Sequence, residues 1–150
     1  MSDLKKQVQD AAISAMKSGE KKRLAVIRLM TSAIKQIEVD ERIELDDARI
    51  IVVFDKMLKQ RRESISQFKI ASREDLIEQE AYEIDIIQEF LPQALSEDEI
   101  DEIVNSAISQ TAASSIKDMG KVMGIVKPQI VGRADMSEVS GRIKSLLSAS

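Results

Sequence analysis

Cysteine, histidine and tryptophan are absent from this 150-residue chain, and aromatic residues of any kind make up 3% of it. Without cysteine there is no disulfide and no thiolate metal site, which leaves the redox compartment open. Without histidine, the Ser-His-Asp and Cys-His mechanisms, imidazole acid–base chemistry and ordinary zinc sites are out of reach. No P-loop or GxGxxG glycine loop occurs, so nucleotide binding by those devices is excluded. Only two prolines and five glycines punctuate the chain. Its longest strongly apolar run, Ile50 to Phe54, falls far short of the ~20 residues that a membrane span needs. The amino terminus opens directly into an amphipathic pattern with no apolar signal core. A soluble, cytoplasmic protein without membrane association is expected.

What is present is aliphatic and charged. Hydrophobic residues make up 43% of the chain and must build the core from Ile, Leu, Val, Met and Ala. A chain of this length forms one domain or two small ones and can bury roughly 68–70% of its unfolded surface. Net charge is −4 but unevenly placed. Residues 1–71 carry 15 Lys/Arg against 11 Asp/Glu, residues 72–111 carry 1 against 12, and residues 112–150 carry 6 against 3. An acidic middle is poorly suited to a polyanion; the two ends are not.

Apolar residues recur at three- and four-residue steps rather than in alternation, which predicts an all-α protein. Ser2 caps a first helix with Leu4, Val8, Ala11, Ala12, Ala15 and Met16 as its stripe, and Gly19 stops it. A second helix, about 20–40, opens with Lys21-Lys22-Arg23, the wrong sign for a helix start. Those cations are offset by nearby acids or solvent, or they face an anionic partner. After a polar connection, Val39 to Glu44, comes a third helix, about 46–70, with Ile50, Phe54, Met57 or Leu58, Ile65 and Phe68 inward. Ser72 is expected to cap a fourth, reaching Phe90. Helices joined by short connections pack as antiparallel neighbours. Glu80 or Glu83 of the fourth can therefore pair with Arg61 or Arg62 of the third, in competition with a role for those arginines at RNA.

Leu91-Pro92-Gln93-Ala94 breaks the pattern and is the best domain boundary. The expected architecture is thus an antiparallel helical bundle over 1–92 and a small three-helix domain over 96–150. Ser96-Glu97-Asp98-Glu99 reads as a capping box for a fifth helix ending near Gln110. Ser114 or Ser115 starts a sixth that Pro128 and Gly132 end, and Asp135 with Glu138 starts a seventh.

Several constellations in the second region invite chemistry. The acids Glu97, Asp98, Glu99, Asp101 and Glu102 could be imagined around a metal. Their place at a helix start explains them without one, since anions there contribute roughly 0.3–1 kcal/mol each; no metal or other cofactor is expected. Ser114-Ser115 with Lys117 resembles an amidase apparatus only in composition. That chemistry wants serines on a glycine-rich turn and a distant lysine, whereas these serines precede a helix. No catalytic residue is assigned. Gly120 and Gly124 each cost about 1 kcal/mol in a soluble helix, to be offset by tight helix packing or by close approach of a ribose-phosphate strand. Gly132, in the turn that follows, is a third candidate for such close approach. Lys117, Lys121, Lys127, Arg133, Arg142 and Lys144 are the nucleic-acid candidates, with Lys117, Lys121 and more loosely Lys127 along one side of the sixth helix. Such cations set affinity and register but read no bases. Tyr82 and the three Phe lie outside this region, so single-strand stacking is ruled out, leaving shape recognition of a folded RNA.

The stretch Met119-Gly120-Lys121-Val122-Met123-Gly124, then Lys127-Pro128, then Val131-Gly132-Arg133-Ala134-Asp135, resembles the tail domain shared by YqeY-like proteins and the B subunit of the tRNA-dependent amidotransferase. Arg23-Leu24-Ala25-Val26-Ile27-Arg28-Leu29 and Lys59-Gln60-Arg61-Arg62-Glu63-Ser64-Ile65 are similar to YqeY-like motifs, so the resemblance spans nearly the whole chain. It implies a helical accessory module that touches tRNA, with an aminoacyl-tRNA synthetase or amidotransferase complex as partner. In the amidotransferase the related tail helps to hold tRNA while other subunits carry the chemistry. The family's frequent label, carbon–nitrogen ligase with glutamine as amide donor, then belongs to the complex. A helical protein–protein adaptor without nucleic-acid binding is the alternative, and the oligomeric state is left open.

Overall fold

Seven α-helices and one 3-10 turn follow one another in the computed structural model, which describes residues 2–148 and holds no strand among them. They are α1 (Asp3–Lys17), α2 (Lys21–Glu41), α3 (Asp47–Ile70), α4 (Glu74–Gln88), α5 (Glu97–Thr111), the 3-10 turn Ile116–Asp118, α6 (Met119–Ile130) and α7 (Met136–Ser148). None is long and apolar enough to cross a membrane.

Three of the seven helix starts carry local side-chain caps. Ser2 Oγ accepts from Lys5 N at 3.0 Å, Asp46 from Arg49 N at 2.8 Å, and Ser96 with Glu99 forms the reciprocal capping box at 3.2 Å both ways. These bonds satisfy amides that a helix start leaves without partners. Asp47 adds a long-range tie, accepting from the Leu4 amide at 3.1 Å and from the Ser2 hydroxyl.

Three boundaries depart from expectation. Ser72 caps nothing: it sits in the left-handed region (φ 55) just past α3, and Arg73 takes the capping position before α4 without a side-chain cap bond. The connection after α2 is shorter, because α2 runs on to Glu41 before left-handed Arg42 (φ 56) ends it. Leu45 in that connection is buried, and its amide donates to Glu38 at 2.9 Å. Pro128 lies inside α6, which continues to Ile130. The missing N–H costs one bond in the last turn, and the burial of Val126 and Ile130 at 0% exposure offsets it. Gly132, at φ 75, then makes the turn a side chain would resist.

The chain divides into two compact units, Met1–Pro92 and Gln93–Ser150. In the first, α1 packs on α2 and α3 on α4. Val8, Ile27, Met30, Ile50, Phe54 and Ile87, all at 0% exposure, meet at its centre. Ile65 and Phe68, expected inward, are only half-buried. In the second unit α6 packs against α5 and α7 around Val104, Val122, Val126, Ile130 and Ile143. At roughly 1.5–3 kcal/mol for each fully buried aliphatic side chain, these two clusters dominate the favourable side of folding.

Candidate nucleic-acid interface

Helix α6 buries one face and offers the other. Val122, Val126 and Ile130 point inward, while Gly120, Lys121, Gly124, Lys127 and Pro128 are exposed, as is Lys117 in the preceding 3-10 turn. At about 100° per residue, Gly124 lies at the middle of the exposed face, with Gly120 beside it one turn back. Lys121 and Lys127 fall about 60° to either side. The strip is therefore bare backbone edged by cations, about 9 Å along the axis between the two lysines.

The glycines are not packing devices. A Cβ built at Gly120 or Gly124 meets nothing within 4 Å, so tight internal packing does not account for them. Pro128 joins the same face, four residues past Gly124 and seven past Lys121, a spacing already visible in the sequence.

The approach to α6 is fixed by Asp118, which accepts from the amides of Ser114 at 3.0 Å and Ser115 at 3.4 Å. Those bonds hold its carboxyl below the usual carboxylate range, and Lys121 nearby adds to the effect. The two serines thus belong to a turn. Lys117, Lys121 and Lys127 enter none of the ion pairs formed among the described residues.

The other three cations are placed differently. Arg142 on α7 is held by two acids of α5, Asp101 at 2.6 Å and Glu97 at 3.2 Å. It serves as a clasp and is not a free cation. Arg133 donates through Nε to the Gln93 carbonyl at 3.0 Å, while its carbonyl accepts from Leu95 N at 2.9 Å; it ties down the strand of chain leading into α5. Lys144 is exposed on α7 and shares no helix with the lysine strip.

In the first unit, Arg61 pairs with buried Glu83 at 3.2 Å and donates to the Met57 carbonyl at 3.1 Å, which is the ion-pair alternative for this arginine. Arg62 enters none of the ion pairs among the described residues. Beside the pair, burial and the charge of Glu83 push the Glu80 carboxyl above its ordinary range. At the start of α2, Arg23 pairs with Glu89 at 2.7 Å and Lys22 lies 4.2 Å from the centre of the Tyr82 ring. Two of those three cations therefore have internal partners. No group of three or more metal-ligating side chains occurs among the described residues.

Comparison with known proteins gives these features a context. A family model described as Yqey-like protein matches residues 5–147. A Pyrenophora tritici-repentis protein called Altered inheritance of mitochondria protein 41, mitochondrial, is 33% identical over 139 residues, covering 91% of this chain and 76% of its own length. Its namesake in Kluyveromyces lactis is 32% identical over 135 residues, 87% of this chain and 69% of that protein. In Saccharomyces cerevisiae the protein of that name is 32% identical over 100 residues, covering 61% and 54%. A match across nearly every described helix, with relatives aligned over most of its length, places this chain in the YqeY-like family.

Proposed function

We propose that this chain is a non-catalytic accessory module that holds tRNA by its shape, through the exposed face of α6. In this reading the first unit is an antiparallel helical bundle. The second is a three-helix domain similar to the tail of the tRNA-dependent amidotransferase B subunit. A synthetase or amidotransferase complex is the partner that carries the chemistry, and the cytoplasm is the compartment in which it works.

One observation carries the reading. Two helical glycines lie open where a Cβ would touch nothing, and lysines without internal ion pairs flank them. In a soluble helix such glycines cost stability, and a ribose-phosphate strand laid along bare backbone between two cations supplies a reason to keep them. The contact would set affinity and register without reading bases. Lys117, Lys121 and Lys127 would meet phosphate directly. Arg133 and Arg142 would shape the surface rather than touch RNA, and Lys144 could reach only a second segment.

The test is titration of a tRNA transcript into the full chain at several salt concentrations. Lys121→Glu with Lys127→Glu should weaken binding and lower the salt slope by about 0.7–0.9 for each phosphate no longer neutralised. Unchanged affinity and slope would sink the reading and leave the helical adaptor without nucleic-acid binding in its place.

A further inference from the structure

The seam between α1 and α2, in the first unit, is a second exposed surface that the RNA reading does not use. A groove of about 590 Å³ lies between Lys5 and Ile13 of α1 and Thr31 and Lys35 of α2. A second hollow, of about 450 Å³, lies between the same two helices from Met16 to Lys21 and Arg28. Ile13 and Met16 remain 47% and 56% exposed there. They are three residues apart, so they share one face of α1. Half-buried Ala12 widens the apolar strip.

The charge along the seam that enters no ion pair among the described residues has one sign. Lys21, Arg28 and Lys35 line the two hollows and enter no ion pair among the described residues. Among the described residues, the only carboxylate lining either hollow, Glu38, is already bound to Lys5 at 2.9 Å and to the Leu45 amide at 2.9 Å. The three free cations recur every seven residues, two helical turns, and so stand about 10.5 Å apart in a row about 21 Å long.

We infer that the α1–α2 seam is the docking groove for an acidic amphipathic helix of a partner protein. Such a helix would lay its apolar stripe on Ala12, Ile13 and Met16 and set acidic residues at heptad spacing opposite Lys21, Arg28 and Lys35. Pairing of this kind is how flanking charges select partners in helix–helix packing. A phosphate strand fits less well, because it would cover the apolar strip with polar surface and match charges at a different repeat. A second copy of this chain fits less well too. Its acidic helices α4 and α5 contribute none of the exposed large apolar side chains needed to fill the hollows.

The probe is a synthetic 21-residue helical peptide with Leu at the two core heptad positions and Glu at the flanking ones. A second peptide carries Lys in place of every Glu. Each is titrated into the isotope-labelled full chain and followed by amide NMR and fluorescence anisotropy. The acidic peptide should move the resonances of Ile13, Met16, Arg28 and Lys35 and bind at least tenfold tighter than its basic twin. Arg28→Glu with Lys35→Glu should reverse that preference. Ile13→Ser with Met16→Ser should weaken both peptides tenfold and leave the preference standing. All four side chains are exposed or line the surface hollows, so folding should survive, as thermal melts would verify. The inference is overturned if the acidic peptide leaves α1 and α2 unmoved, if the twins bind alike, or if a tRNA transcript perturbs the seam and the peptide does not. These variants keep Lys121 and Lys127 intact, so loss of peptide binding with unchanged tRNA affinity separates this surface from that on α6.

Discussion

Replacing Gly124 by alanine tests both the fold and the proposed site. An interior helical glycine is about 1 kcal/mol less favourable than alanine, and the added Cβ would meet no atom within 4 Å. No steric cost therefore opposes the gain. Gly120, the second residue of α6, lies in the first turn, so Gly120→Ala should gain less. For a unit of this size 1 kcal/mol corresponds to about 4–8 °C in Tm. Calorimetry of Gly124→Ala should show that rise, confined to the transition of the second unit if the two units melt separately. The same methyl group stands midway between Lys121 and Lys127, where the proposed RNA strand approaches. Affinity for a tRNA transcript should fall while the salt slope stays as in the parent, because no charge has changed. A stabilised variant that binds tRNA as well as the parent would refute the glycine argument. A variant that is not stabilised would refute the helix-propensity argument on which it rests.

The Arg61–Glu83 pair, with side-chain exposures of 14% and 11%, offers a sharper stability test. Arg61→Ala or Glu83→Ala strands a charge and should cost about 3–5 kcal/mol, whereas Arg61→Met with Glu83→Leu should cost much less; urea denaturation of the two singles and the double compares the losses. Ala112 (φ 51) and Arg42 (φ 56) end helices in the left-handed region, so Ala112→Gly and Arg42→Gly should each stabilise by up to about 1 kcal/mol, read as a higher denaturation midpoint. The Leu45 amide and Lys5 hold the Glu38 carboxyl below its ordinary range. Its contribution is therefore present above the unfolded-state pKa and lost as pH falls through the folded one; acid titration of Glu38→Gln should show a shallower decline there. Glu80, pushed upward by burial and Glu83, has the opposite sign, and Glu80→Gln should raise stability at neutral pH, measured by the same urea melts.

How much of the fold is legible from sequence follows from where each determinant sits. Ser2, Asp46 and Ser96 act on amides three residues away, so sequence spacing carries those helix starts. Gly19 and Gly132, at φ 73 and φ 75, sit in a conformation that only glycine adopts freely, and their identity marks the turns. Ser72 misleads because left-handed helix ends do not always carry glycine. Pro128 misleads because one missing hydrogen bond near the end of α6 weighs less than the burial of Val126 and Ile130. The open setting of Gly120 and Gly124 is not readable at all, since spacing says which face a residue occupies but not what stands opposite.

By itself the sequence determined an all-helical chain, an aliphatic core without disulfides, and the capped points where α1, α3 and α5 begin, because those depend on residues within one or two turns of each other. Tertiary structure decided which charges are free. Arg142 is claimed by Glu97 and Asp101, which lie 45 and 41 residues away in the chain, and Arg61 by Glu83, 22 residues on. Lys121 and Lys127 are left facing outward. Periodicity fixes a side chain's direction from its own helix, but its partner comes from another helix, and only packing brings the two together.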